Sequence, residues 1–251
     1  MQAFPYTLAP STLPKLGLIV LAADETLEED MRRIFPPDVA RLHVTRIPSD
    51  TALNPDTIHA MEAALPSAAA LFPANAHFES VGYGCTSGTT LIGEGRVAEL
   101  VSGAVSTQHV SNPLTATLAA IQTLGIRRLG LVSPYIDTVA GPVKEALEGR
   151  DISVPATLSF GEEQEANVAR IAPASICDAA RALAQEGEID GIFLSCTNLR
   201  TLDIIPKLET ELALPVLSSN QTLAWHMAAQ AGLLEQANGV GRLWAASAPA
   251  P

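Results

Sequence analysis

Short continuous apolar runs alternate with amphipathic stretches along almost the whole chain. Leu16-Gly17-Leu18-Ile19-Val20-Leu21 is bounded by polar residues. A run of that length and composition suits a strand buried on both faces of a parallel sheet. A loop, Ala22-Ala23-Asp24-Glu25-Thr26, separates it from a helical pattern over 27–35. The same alternation then predicts a strand over 42–47, a helix over 56–72 that Pro66 should break, and a strand over 78–84. A helix over 89–102, a short strand over 104–110 and a helix over 113–124 follow, the last closed by Gly125 in the usual C-terminal role. Residues 1–14 carry three prolines and little pattern, and read as a loose tail.

The pattern then restarts. Leu129-Gly130-Leu131-Val132 echoes Leu16-Gly17-Leu18-Ile19. A helix over 139–148, a strand over 153–160, a helix over 173–185, a strand over 189–195, a helix over 201–212, a strand over 215–218 and a last helix to about Leu233 complete it. Matched points are separated by 113 residues (16 to 129), 111 (85 to 196) and 108 (112 to 220). These near-equal separations read as one internal duplication, too long in period for a solenoid. The expected class is α/β: two similar Rossmann-like lobes, each a roughly four-stranded, mostly parallel sheet flanked by helices, related by a pseudo-two-fold axis. The first lobe is expected to comprise 15–112 plus 219–245 and the second 113–218, with tails at 1–14 and 246–251.

Chemistry concentrates where strands end. Val81-Gly82-Tyr83-Gly84-Cys85-Thr86-Ser87-Gly88-Thr89-Thr90 reads as a strand breaking through glycines into a helix. Glycines let backbone approach a ligand closely, and hydroxyls with unpaired amides at a helix start favour an anion. A thiol placed there should ionise more easily than a free one. Ser195-Cys196-Thr197-Asn198-Leu199-Arg200-Thr201-Leu202 repeats the turn, matching Cys85, Thr86, Thr90 and Leu91. Ligands bind beyond the carboxyl ends of strands in open parallel sheets, so the duplication predicts Cys85 and Cys196 facing each other across one cleft.

Two opposed thiols can remove and return a proton on opposite faces of a carbon, or one can add to an activated double bond and leave again. Tyr135, in a strand-end loop, is the better site candidate of the two nearby tyrosines; Tyr83 suits packing. Asp24 suits a helix cap, a solvated position or a site carboxylate, and Asn198 a cap or a substrate contact. No Lys or Arg follows Asp24 until Arg32, so a substrate amine or the Cys85 thiol is its expected partner. Cys177 lies within a helical pattern and reads as inert core. Arg200 reads as solvated or paired, and His226 as packing. No His or Cys stands at metal-ligand spacing around either thiol, and no Gly-Lys-Ser/Thr follows the glycines.

Composition narrows the partners. The chain has 251 residues, 47% of them hydrophobic, and a formal net charge of −12. That suffices for a sizeable core and argues against nucleic acid or an anionic membrane surface as partner. No apolar run approaches the ~18 residues of a membrane span. There is no signal-peptide pattern, and three widely spaced cysteines form no disulfide framework, so a cytoplasmic protein with reduced thiols is expected.

These residues resemble the aspartate/glutamate racemase superfamily, in which paired cysteines follow equivalent strands of two α/β halves. Gly84-Cys85-Thr86-Ser87-Gly88 and Ser195-Cys196-Thr197-Asn198-Leu199 more closely resemble its branch of maleate isomerases and arylmalonate decarboxylases. Ala23-Asp24-Glu25-Thr26-Leu27-Glu28 and Leu217-Ser218-Ser219-Asn220-Gln221 are similar to a group of ectoine-utilisation proteins within it. The resemblance covers roughly 15–245. It implies a cofactor-independent isomerase, a racemase or cis-trans isomerase of a small amino acid or dicarboxylate, with Cys85 and Cys196 as the reactive thiols. Asp24, Thr86, Ser87, Tyr135, Thr197 and Asn198 would bind substrate, with no metal and no cofactor. The decarboxylases of the branch keep only the second cysteine, with glycine at the first, so two cysteines favour isomerisation over a Cys196-only decarboxylase. A cleft that binds a small carboxylate without chemistry is the alternative outside the enzymes. Maleate isomerases have Asn where Asp24 stands, and a carboxylate there suits a substrate amine. A homo-oligomer stays open.

Overall fold

The computed structural model describes residues 3–10, 12–50 and 55–247. Of the expected tails, residues 1, 2, 11 and 248–251 lie outside the described residues. The first half runs β1 (Lys15–Leu21), α1 (Leu27–Ile34), β2 (Arg41–Ile47), α2 (Pro55–Ala69), β3 (Phe78–Gly84), α3 (Thr86–Ile92), α4 (Glu94–Ser102), β4 (Thr107–Ser111) and α5 (Pro113–Leu124). The second runs β5 (Arg128–Ser133), α6 (Asp137–Glu148), β6 (Ser153–Ser159), α7 (Glu165–Val168), α8 (Pro173–Glu186), β7 (Gly191–Leu194), α9 (Ile205–Leu212), β8 (Val216–Ser218), α10 (Ser219–Gln230) and α11 (Gly241–Ser247).

Two four-stranded sheets result, ordered β2-β1-β3-β4 and β6-β5-β7-β8, and every pairing is parallel. The orders are the same once the second half is counted from β5, as a duplication requires. β1, β3, β5 and β7 are almost wholly buried because helices cover both faces, and in β1 and β7 this goes with an unbroken apolar run. Val20 pairs with Gly84 across β1 and β3, and Val132 with Leu194 across β5 and β7. Cys85 and Cys196 therefore emerge at corresponding sheet ends. Gly84 lets α1 lie close to β3, since an added Cβ would stand 2.1 Å from Leu27 Cδ2.

The two halves are stitched at these ends. Asn220 Nδ2 donates to Asp30 Oδ2 at 2.7 Å and to the Thr197 carbonyl at 2.8 Å. Arg33 pairs with Asp203. α10 returns to the first sheet, where Ser80 Oγ donates to Gln230 Oε1 at 2.7 Å.

Several expected elements differ. α2 is not broken at Pro66, because the proline sits in its last turn and removes a single backbone bond. The helix expected over 89–102 is two helices, α3 starting at once after Cys85 and α4, divided at Gly93 with φ +94°. No helix follows Cys196 directly; turns fill the stretch until α9. Asn112 caps α5, accepting from Thr115 N–H at 2.8 Å, but the matching Asn220 does not cap α10. Ser218 caps it in a capping box with Gln221, which frees Asn220 for the inter-lobe bonds. α7 and α11 were not legible in the apolar pattern.

Candidate functional site

The first cysteine turn is built by β3 running into α3. Cys85 is the N-cap residue, extended at φ −149°, and its Sγ accepts from Gly88 N–H at 3.1 Å. Ser87 Oγ lies 3.7 Å from the same sulfur. The Tyr83 hydroxyl also lies against Cys85. Space is tight: a Cβ on Gly88 would stand 2.7 Å from Tyr83 Oη and 2.8 Å from Cys85 Sγ. The thiol was expected to ionise easily here, and it does not. Burial at 2% exposure pushes it up to about 11, against the lowering effect of the Gly88 and Ser87 hydrogen bonds. Desolvation of the thiolate outweighs two hydrogen bonds and a two-turn helix.

The second turn reaches a similar place by a different backbone. Cys196 has φ +134°, a left-handed value that a β-carbon disfavours and that costs of order 1–3 kcal/mol. Its conformation is pinned from both sides: Cys196 N–H donates to Ser219 Oγ at 3.0 Å, and Asn198 N–H donates to Cys196 Sγ at 3.4 Å. The Tyr135 hydroxyl lies against this sulfur, so each thiol has its own buried tyrosine. Burial raises the Cys196 thiol well above its ordinary value, with the Glu165 carboxylate as the next cause.

The two turns belong to one cluster. Thr86 Oγ1 and Ser219 Oγ are 2.8 Å apart, and Ser219 Oγ is the group that accepts from Cys196 N–H. Thr197 Oγ1 donates to the Gly84 carbonyl at 3.4 Å, immediately before Cys85. Tyr135 feels both cysteines, and Glu165 acts on both thiols. Cys85, Cys196, Thr86, Ser87, Thr197, Tyr135 and Asp24 are all buried. Asn198 is buried with them, so every residue expected in the site is buried.

Asp24 is bound to the start of α1 through one oxygen only. Oδ1 accepts from Thr26 N–H and Leu27 N–H, each at 2.8 Å, and so holds the start of α1. Oδ2 is buried without a hydrogen-bond partner. Burial raises its pKa; the Leu27 and Thr26 amides, Thr197 and, least, Arg46 oppose that. Asn198 is a bridge between loops. Its Oδ1 accepts from Glu25 N–H at 2.9 Å, and its Nδ2 donates to the Glu165 carbonyl at 3.1 Å and to Glu165 Oε2 at 2.8 Å. Those bonds use both amide donors within the protein.

Glu165 was not anticipated. It opens α7, beyond the carboxyl end of β6, and is 3% exposed. Burial raises its pKa to about 7; Asn198 opposes the shift and Asp24 adds to it. Gly161-Glu162-Glu163-Gln164-Glu165 reads as a solvated acidic loop, and only its place after a strand hinted otherwise. Cys177 is buried on α8 beside Ile176 and Ala180, away from these groups, as its helical setting implied. His226 packs beside Trp225 and meets Ser111 Oγ through Nδ1 at 2.7 Å. Among the described residues no group of three or more His, Cys, Asp or Glu side chains is arranged to hold a metal ion, and no helix is long and apolar enough to cross a membrane.

Known proteins are similar to this chain in sequence and fold. The chain is 36% identical to the arylmalonate decarboxylase of Bordetella bronchiseptica over 132 residues, spanning 52% of this chain and 55%, about half, of that protein. It is 26% identical to the maleate isomerase of Nocardia farcinica over 240 residues, covering 91% of this chain and 94% of the relative. Among solved structures, a cysteine-to-serine mutant of the Nocardia farcinica maleate cis-trans isomerase carries a covalently bound succinylcysteine intermediate. It superposes with a TM-score of 0.83 at 24% identity, covering 93% of this chain and 98% of that one, and so supports the fold. A family model for arylmalonate decarboxylase matches residues 99–244, more than half of the chain and inclusive of the second cysteine turn. The chain belongs to the arylmalonate decarboxylase family.

Proposed function

We propose that this protein is a cofactor-independent isomerase of a small carboxylate, a racemase or cis-trans isomerase, in which Cys85 and Cys196 act from opposite sides of the substrate. The observation that carries the reading is the joining of the two cysteine turns through the Thr86 and Ser219 hydroxyls, 2.8 Å apart. It supports a single site for both thiols, and two acid–base groups on one carbon are what inversion requires.

In the racemase route a thiolate takes the proton from the carbon beside the substrate carboxylate. The pair of electrons left behind delocalises into that carboxylate, and the opposite thiol gives its proton to the other face. The sulfurs end with their protonation exchanged. In the cis-trans route a thiolate adds to one carbon of the double bond and the electron pair moves toward the neighbouring carboxylate. Rotation about the new single bond and departure of the thiolate restore the alkene. Transfer of a proton to the carbanion of that adduct would give a succinylcysteine, the covalent species carried by the Nocardia relative. Both routes build charge on a carboxylate, which the hydroxyls of Thr86, Ser87 and Tyr135 are suited to stabilise. Thr197 supports Gly84, and Asn198 positions Glu165.

The 36% identity with an arylmalonate decarboxylase favours a second reading, in which Cys196 alone protonates a carbanion left by loss of CO2. Proton exchange separates the two. Small amino acids, hydroxy acids and dicarboxylates are incubated in heavy water and followed by NMR. Isomerase chemistry predicts Cα–H exchange or alkene interconversion that Cys85→Ser and Cys196→Ser each abolish without unfolding the protein. Full activity in Cys85→Ser removes the two-thiol mechanism and leaves the decarboxylase.

A further inference from the structure

The two cysteine turns are held by different means, and the second draws on the opposite half of the molecule. After Cys85 the chain enters α3, which fixes the peptides around the thiol. The Thr86 carbonyl accepts from Thr90 Oγ1 at 3.0 Å, and Gly88 N–H donates to Cys85 Sγ at 3.1 Å. After Cys196 no helix starts, and the amide that reaches the sulfur is Asn198 N–H, at 3.4 Å. That amide shares one planar trans peptide with the Thr197 carbonyl. The two groups point in opposite directions, so whatever holds the carbonyl also aims the N–H.

Asn220 holds it. This side chain is buried, and Nδ2 donates both hydrogens: to the Thr197 carbonyl at 2.8 Å and to Asp30 Oδ2 at 2.7 Å. Its Oδ1 is buried with no hydrogen-bond partner, so the amide is set for donation at the expense of its acceptor. Reversing the amide would turn that oxygen toward a carbonyl and a carboxylate, neither of which has a hydrogen to give. Asp30 therefore makes the orientation one-sided. It is itself buried on α1, with Arg33 Nη1 no nearer to Oδ1 than 3.8 Å, and a carboxylate so loosely paired is costly to bury. The duplication marks the difference between the halves. Asn112, the counterpart of Asn220, uses its side chain to accept from Thr115 N–H and caps α5. A carbonyl that accepts a hydrogen bond makes the N–H of the same peptide a stronger donor. Asn198 N–H in turn favours the thiolate form of Cys196.

We propose that Asn220 and Asp30 are positioning residues for Cys196: the Asp30 carboxylate orients the Asn220 amide, the amide holds the Thr197 carbonyl, and the Thr197–Asn198 peptide thereby keeps its N–H on the sulfur. Together they stand in for the helix that the second turn lacks. When Cys196 has given up its proton, the aimed amide faces the thiolate that remains. This rests on the reading of Cys196 as a reacting thiol, and it adds two residues that act on that thiol only through another peptide.

The test reads the thiols directly. Alkylation of the full chain by iodoacetamide at about pH 9 is followed at each cysteine by mass spectrometry, with Cys85 as internal reference. Asn220→Ala should slow Cys196 about fivefold or more relative to Cys85. Asp30→Ala should act in the same direction, and Asp30→Asn, whose amide oxygen can still accept from Asn220, should restore most of the wild-type ratio. Asp203→Ala breaks a different bond between the halves, the Arg33–Asp203 pair, and should leave the ratio unchanged. If Asn220 and Asp30 merely stitched the halves together, both thiols would respond alike and Asp203→Ala would mimic Asn220→Ala; either result overturns the proposal. A Cys196 rate unchanged or raised relative to Cys85 in a folded Asn220→Ala also overturns it and spares the two-thiol reading. A Cys196 that wild type does not alkylate at any pH up to about 10 removes the two-thiol reading, and the proposal with it. Circular dichroism checks folding. If Asn220→Ala does not fold, the contrast of Asp30→Ala with Asp30→Asn decides, and equal ratios in those two overturn the proposal.

Discussion

Replacing Glu165 with glutamine should convert a pH-dependent stability into a flatter one. Burial holds this carboxyl at about 7, against its ordinary 4.5. Between those values the folded protein keeps a proton that the unfolded chain has released. Stability therefore falls as pH rises through the window, and the loss is complete once the pH passes the folded value. At ~1.4 kcal/mol per pH unit, the displacement from 4.5 to about 7 amounts to about 3–4 kcal/mol. Glutamine carries no proton to lose, and its amide oxygen can accept from Asn198 as Oε2 does at 2.8 Å. Asp30, raised to about 6, and Asp24, also raised, titrate in both proteins and largely cancel in the difference. The repulsion between Asp24 and Glu165 is already part of the rise to about 7 and is lost with the carboxyl. Urea unfolding followed by circular dichroism, from about pH 5 to about pH 8.5, gives the difference directly. Glu165→Gln should match wild type near the acid end and exceed it by about 3–4 kcal/mol at the alkaline end. A difference constant to within about 0.5 kcal/mol would refute the reasoning, because a solvated or cation-paired carboxylate gives no such slope.

Three further outcomes are expected. Cys177→Ser should leave turnover unchanged and cost about 1–2 kcal/mol in urea unfolding, since it puts a hydroxyl into an apolar helix face. Gly88→Ala should lower turnover at least about tenfold while costing about 1–3 kcal/mol, because its methyl would stand 2.8 Å from Cys85 Sγ and 2.7 Å from Tyr83 Oη; steady-state rates and unfolding midpoints check both halves. In alkylation by iodoacetamide across rising pH, read by mass spectrometry, Cys85 should react before Cys196, because Gly88 N–H and Ser87 Oγ support the Cys85 thiolate whereas Glu165 is the main charge opposing that of Cys196; the opposite order would overturn that assignment.

The fold was legible because parallel strands covered on both faces announce themselves as continuous apolar runs, and because the runs occurred twice at nearly equal separations. β3 and α5 have the very limits that their patterns suggest, the latter because Asn112, Pro113 and Gly125 supply cap, first turn and stop. Elements without an apolar period were lost. α7 is four residues long in an acidic loop, and periodicity cannot register a single turn. The site was legible to the extent that it obeys the duplication. Glu165 breaks the pattern, standing after β6, where no motif repeats. Its character comes from burial and from the Asn198 bridge across 33 residues of sequence, neither of which the local sequence encodes. The ionisation of Cys85 was misread for a related reason: hydrogen bonds at a helix start are visible in sequence, and the desolvation that outweighs them is not.

The duplication also hides an asymmetry that bears on how the thiols divide the work. Cys85 sits in an ordinary extended conformation and caps a helix, whereas Cys196 stands at φ +134° with no helix behind it. Strain of order 1–3 kcal/mol at one residue persists only when its surroundings fix it. Here Ser219, Asn198 and Asn220, whose Nδ2 holds the Thr197 carbonyl at 2.8 Å, all bind the Cys196–Asn198 segment. Glu165 is the second cause of the raised Cys196 value but only the fourth for Cys85, after the Gly88 and Ser87 hydrogen bonds that favour the thiolate. On the two-thiol reading, Cys85 is then the sulfur more readily made a thiolate, the base or nucleophile, and Cys196 the one kept protonated, the donor. A donor must be aimed at one face of one carbon, which gives the strained and heavily tethered turn a purpose that a helix-capping cysteine does not need.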